Sequence, residues 1–155
     1  MPVGRSSAPL SASVRLRSRT VSAGSSLPGR VVVQNNTGHA IRVPGCGALF
    51  QVALASARYQ PAVAWPTCLQ MLTIPAGESS YPVTVLASYL QCHEGRTQGA
   101  IRACLPDQRP PPLPPGDYRA RLFQVGHLVV APPGTTVRVT APLPGQGGQV
   151  RYRRG

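Results

Sequence analysis

Lysine is missing from this chain: all 16 cationic side chains are arginine, set against four carboxylates, for a formal charge of +12. The total absence of one cation fits a GC-rich coding sequence better than selection for guanidinium chemistry. The basic balance still attracts phosphate, acidic glycans or an anionic membrane surface. Only Arg151-Tyr152-Arg153-Arg154 forms a dense run, and the other arginines are scattered. Aromatic residues make up 5% of the chain, too few for a platform on which nucleic-acid bases stack.

The carboxylates are sparse as well. Glu78 and Asp117 fall in turn sequences and Glu94 and Asp107 stand apart, so the converging pair that glycoside hydrolysis requires is not indicated. His39, His93 and His127 are isolated. His93 follows Cys92, but adjacent residues on an extended chain point to opposite sides, which argues against a thiolate–imidazole nucleophile. A phosphate-binding glycine loop, a Gly-x-Ser-x-Gly elbow and a His-Glu-x-x-His helix are all lacking. The expectation is a protein without catalysis, cofactor, resident metal or small-molecule substrate. No apolar stretch approaches the length of a membrane span, and Met1–Ser13 has no run fit for a signal peptide.

What the chain does have is glycine and proline, 16 and 18 in 155 residues. That is heavy, yet below the level at which disorder becomes the default. Frequent breakers between short β-branched runs point to an all-β domain. Four cysteines, Cys46, Cys68, Cys92 and Cys104, lie at intervals that match no familiar zinc knuckle. Two disulfides are the leading reading, and they imply an oxidising compartment. Of the three connectivities available, sequential pairing, Cys46–Cys68 and Cys92–Cys104, closes one local excursion each. Zinc held by Cys92, His93, Cys104 and a fourth ligand is the alternative for a cytoplasmic protein.

In chain order, residues 1–13 form a Ser-, Pro- and Ala-rich lead-in, expected to be flexible. Val14–Ser18 alternates apolar and basic, as an edge strand does, and Val21–Arg30 reads as a turn-rich link through Gly24, Pro28 and Gly29. Arg30–Asn35 is the strongest strand by β-branching. Asn35-Asn36-Thr37 matches the N-glycosylation pattern, a three-residue match that arises often by chance. Phe50, Val52 and Leu54 share one face of a strand. Trp65, beside Cys68, is expected to pack in the core or at its rim, as a tryptophan does against a cystine in many sandwiches. Leu72–Leu86 reads as strand, turn and strand, with the bend at Pro75-Ala76-Gly77.

Residues 87–115 form a long irregular insertion that carries Cys92, His93 and Cys104. Loops of this length are usually functional or disordered, and a Cys92–Cys104 bridge would keep this one ordered. Tyr89, Arg96, Arg102 and Arg109 are the candidate partner-binding residues. The strand after Gly116-Asp117 places Tyr118, Ala120, Leu122 and Gln124 on one face and Arg119, Arg121, Phe123 and Val125 on the other. A tyrosine at such a strand start pins the corner of an immunoglobulin-like sandwich. Thr135–Thr140 closes the sheet, and 142–155 is a flexible basic tail in which Arg151, Arg153 and Arg154 are the candidate polyanion contacts. The expected fold is an immunoglobulin-like antiparallel β-sandwich of about seven to nine strands over 14–141.

The order of these motifs is familiar. Val31-Val32-Val33-Gln34-Asn35-Asn36-Thr37-Gly38, Phe50-Gln51-Val52, Trp65, Ile74-Pro75-Ala76-Gly77-Glu78 and Gly116-Asp117-Tyr118 together resemble immunoglobulin-like domains of exported bacterial proteins. They are loosely similar to BsuPI-type proteinase-inhibitor domains over Leu27–Thr140. The insertion departs from that pattern, and no inhibitory residue carries over. The resemblance implies a secreted or cell-envelope binding or structural module that recognises another protein, its export signal or anchor lying outside this chain. An Arg-rich accessory protein for nucleic acid or another polyanion, a proteinase inhibitor, and a cytoplasmic location are the alternatives.

Overall fold

A computed structural model of the protein describes residues 9–65, 68–99, 101–124, 126, 128–130 and 132–142. Among these there are nine strands and no helix: β1 (Leu10–Leu16), β2 (Thr20–Ser22), β3 (Ser26–Asn35), β4 (Ile41–Pro44), β5 (Phe50–Ala55), β6 (Met71–Ile74), β7 (Gly77–Leu86), β8 (Gly116–Gln124) and β9 (Thr135–Thr140). They form a three-stranded sheet in the order β1-β3-β7, a four-stranded sheet in the order β2-β9-β8-β5, and a small β4-β6 pair. Every pairing is antiparallel except β2 with β9.

Both large sheets supply one core. Leu27, Val31, Val33 and Val85 come from the first, and Val52, Leu54, Tyr118, Ala120, Val137 and Val139 from the second. Val31, Val33, Val85 and Val137 have no exposed surface, and each such side chain stabilises the fold by about 1.5–3 kcal/mol. The alternation seen in the sequence is the cause: on β9 only Val137 and Val139 are buried, and on β8 Tyr118 and Ala120 are buried between exposed Asp117, Arg119 and Arg121. Phe50 of β5 meets Tyr81 of β7, ring centroids 5.4 Å apart, across the gap between the sheets.

Three sequence expectations change. β1 starts at Leu10, inside the lead-in expected to be flexible, because Ser11, Ala12 and Ser13 pair with Gln34, Val33 and Val32 of β3. Sheet pairing here overrides the weak strand preference of Ser and Ala. The link expected over Val21–Arg30 is mostly strand, with Pro28 and Gly29 inside β3. The Pro28 carbonyl accepts the Arg17 N–H at 3.0 Å, so the donor that proline lacks would have faced the frayed end of β1, where its loss costs little. Gly29 is required by close approach: a Cβ there would lie 2.8 Å from the Arg15 carbonyl oxygen. Trp65 is half-buried and outside the core cluster, beside an exposed Cys68. Further along, Leu69 is fully exposed.

Asn35 is the buried polar residue of the core, 2% exposed. Its amide nitrogen donates to the carbonyls of His39, Ile74 and Pro75, and its oxygen accepts the Thr37 N–H at 3.0 Å and the Thr37 hydroxyl at 2.7 Å. One side chain therefore fastens the end of β3 to the approach to β4 and to the β6–β7 turn. That turn needs Gly77 at φ +85°, a conformation other residues adopt only with strain. An amide so engaged is closed to a glycosyl group.

Candidate functional site

The insertion spans the gap between β7 and β8, and both its feet are buried. The Ala87 N–H donates to Ser25, and the Ala87 carbonyl accepts from Gly24 and from Leu113, whose side chain is 1% exposed. One step further out, the Tyr89 N–H donates to Pro111 at 3.0 Å. The Tyr118 hydroxyl then donates to the Pro114 carbonyl at 2.7 Å, which fixes the returning leg to the start of β8.

Beyond the feet, Cys92 is bonded to Cys104 and Cys46 to Cys68, with Cα separations of 4.8 and 5.7 Å. The sequential pairing expected from spacing is thus the one observed. It also removes the thiolates that the zinc alternative required, and among the described residues no group of three potential ligands surrounds a common point. Two backbone bonds reinforce the bridge: the His93 N–H to Arg102 at 2.7 Å, and the Cys104 N–H to the His93 carbonyl at 3.0 Å. The loop that composition left irregular is therefore held by its own hydrogen bonds.

Of the four candidate contacts, the structure brings two together. The Arg102 guanidinium lies 5.6 Å from the centre of the Tyr89 ring, within the range of a cation–π contact. Tyr59 meets the other side of the cluster, edge-on to Tyr89 at 4.9 Å, and its hydroxyl accepts the Leu90 N–H at 3.1 Å. Burial pushes the Tyr59 phenol above its ordinary range; the Leu90 bond pulls the other way, and the neighbouring Tyr89 adds to the rise. Arg109 is instead committed locally, paired with Asp107 at 3.7 Å on the surface. Arg96 stands exposed beside Gly95. Arg151, Arg153 and Arg154 lie outside the described residues. Tyr59 was not legible in the sequence, because nothing local announces a partner thirty positions away.

The charge of the insertion is nearly balanced, three arginines against Glu94 and Asp107. The surface it offers is an aromatic and guanidinium patch on a braced loop rather than a cationic field.

No protein-family model matches the chain, and no curated protein does. Among solved structures, it is similar at 14% identity and TM-score 0.47 to a β-glucosidase from Listeria innocua in complex with glucose, and at 14% and 0.45 to the same enzyme in complex with gluconolactone. Each match takes in 86% of this chain and 16% of the other, so the chain spans about one sixth of the length of those enzymes.

Proposed function

We propose that the chain is an immunoglobulin-like β-sandwich that works outside the cytoplasm as a non-catalytic binding module, meeting another protein through the 87–115 insertion. The strand orders β1-β3-β7 and β2-β9-β8-β5, with β2 parallel to β9 and a tyrosine corner at Tyr118, support the fold reading. Two disulfides in a small domain support an oxidising location.

The observation that carries the functional reading is the Tyr59–Tyr89–Arg102 cluster, in which Tyr59 from the turn after β5 meets two residues of the cross-linked insertion. Tyrosine and arginine are the side chains that dominate binding energy at protein interfaces. A loop already ordered by a disulfide and backbone bonds loses little conformational freedom when a partner docks. Its near balance of charge favours a protein partner over a polyanion, whose capture is driven by many uncompensated cations.

Retention of extracytoplasmic proteins on the immobilised chain tests this. A protein held by the wild type and by Arg15→Ala, but released by Tyr89→Ala and Arg102→Ala, supports the reading. Its retention should also survive a rise from about 50 to about 200 mM salt, over which phosphate-driven binding collapses. Retention indifferent to the Tyr89 and Arg102 changes would overturn it.

A further inference from the structure

The outward face of the four-stranded sheet carries a second feature, independent of the insertion. Arg119 and Arg121 alternate with buried Tyr118 and Ala120 and so stand on the solvent side of β8. In register, their neighbours on β5 are Ala55 and Ala53. The Ala55 methyl, beside two long side chains, forms part of the floor of a depression. Its volume is about 590 Å³, and its walls include Ser56, Gln60, Arg119, Arg121 and Thr136. Small-molecule sites commonly fall between about 300 and 1,000 Å³.

Both guanidinium groups are held in place by neutral acceptors. Arg119 donates from Nη1 to the Gly134 carbonyl at 3.0 Å, and Arg121 from Nη1 to the Gln60 side-chain oxygen at 3.1 Å. Gln60 is itself fixed, its amide nitrogen donating to Ser56 at 2.6 Å, and Arg121 also lies 5.6 Å from the centre of the Phe123 ring. The carboxylate at the rim, Asp117, is taken by Arg138 at 3.2 Å. Among the described residues neither Arg119 nor Arg121 has an acidic partner. Gly134 lies close under the Arg119 stem: a Cβ there would come within 3.0 Å of the Arg119 Cβ, and in ordinary contact, 3.5 Å, with the Arg121 Cγ.

We propose that this hollow binds a small polar anion through an oxyanion group, a carboxylate, phosphate or sulfate, gripped by Arg119 and Arg121. One donor of each guanidinium is spent on orientation, and the remaining N–H groups form the planar fork that matches two oxygens of such a group. The hydroxyls of Ser56 and Thr136 offer hydrogen bonds to a polar body beyond it.

The test is a titration of the isotopically labelled full chain with sulfate, inorganic phosphate and malonate in turn, followed by amide and side-chain resonances at constant ionic strength. Saturable shifts are expected at Arg119, Arg121, Gln60 and Thr136. Arg119→Gln and Arg121→Gln should each weaken binding about tenfold or more, whereas Arg30→Gln, exposed on the other sheet, should leave it unchanged. Gly134→Ala keeps every charge but crowds the Arg119 stem, so it should weaken binding as well. Response to malonate alone assigns a planar carboxylate, and response to sulfate and phosphate alone assigns a tetrahedral group. Shifts that never saturate, or that survive Gly134→Ala and both Gln variants, would overturn the proposal. So would attachment to duplex DNA that outcompetes all three anions and persists in Arg119→Gln.

Discussion

The hydroxyl of Tyr118 donates to the carbonyl of Pro114 across 2.7 Å, so a strand interior to the second sheet holds the returning foot of the insertion. β8 lies between β9 and β5, and a bond made from it ties the loop to a part of the fold with little freedom to move. Tyr118→Phe keeps the buried ring and removes only this bond. The expected cost is about 1 kcal/mol, read as a lower denaturant midpoint with unchanged slope. The Leu113 amide should exchange faster as its anchorage loosens.

Asn35→Ala should be far more damaging. It strands the Thr37 N–H and removes the Asn35 donor from the Ile74 and Pro75 carbonyls, while the Thr37 hydroxyl keeps its bond to the His39 carbonyl. Unsatisfied buried groups cost about 1–3 kcal/mol each, and nearby groups relax together, so a loss of about 3 kcal/mol is expected in equilibrium unfolding. Produced in a glycosylating host, the wild-type folded chain should carry no glycan at Asn35 by mass spectrometry.

Replacing Cys92 and Cys104 together by serine releases the insertion and leaves the sheets in place. A bridge closing so short a segment restricts the unfolded chain by about 3 kcal/mol. Some of that is regained when the native loop also becomes mobile, so the loss of stability should be smaller. Hydrogen exchange should accelerate at His93 and residue 104 while Val31 and Ala120 stay protected. Uniform loss of protection across the sheets would contradict this.

Pro82 interrupts the outer edge of β7, which lies alongside β5 without pairing to it. β7 pairs with β3 alone in its sheet, and residues 79, 81, 83 and 85 turn their backbone groups towards β3, as the Ala87–Ser25 bond on the same side requires. Pro82 therefore removes a donor from the outward side, where a second chain would otherwise add. Pro82→Thr should raise concentration-dependent self-association in sedimentation, with monomer stability little altered.

Alkaline unfolding isolates the tyrosines. The chain has no lysine and no free cysteine among the described residues, and arginine stays charged beyond pH 12. Burial raises the phenols of Tyr59 and Tyr118 above the ordinary 10.0. The folded state thus holds these protons more tightly than the unfolded one. Their contribution is complete below about pH 10 and is lost as pH climbs through the raised folded values. Denaturant midpoints should be flat from neutrality to about pH 9 and fall beyond about pH 10, less steeply in Tyr118→Phe.

Much of the local architecture was legible from side-chain alternation. Val137 and Val139 announce β9, Phe50, Val52 and Leu54 announce β5, and Pro75-Ala76-Gly77 gives the bend before β7. Of the three connectivities that four cysteines allow, the structure has the sequential one that closes two local excursions, Cys46 with Cys68 and Cys92 with Cys104. The Arg119–Arg121 pair was visible as one face of an alternating strand, but the hollow was not, since it depends on Ala55, Ser56 and Gln60 being brought beside β8 from elsewhere in the chain. Asn35 read only as the end of a strand and part of a glycosylation match, because a sequence shows its neighbours and not the Ile74 and Pro75 carbonyls that reach it from the distant turn.

By itself the sequence determined most of the extended segments, which side of each is apolar and where several of the turns fall, because those follow from residues two apart and from the backbone limits of glycine and proline. Only the tertiary structure decided that β1 and β2, close neighbours in the chain, join different sheets, that Pro28 is tolerated inside a strand, and that Tyr59 stands against Tyr89. Those outcomes depend on which strand wins each partner, and that competition is settled by packing between residues far apart in the chain, which no local pattern encodes.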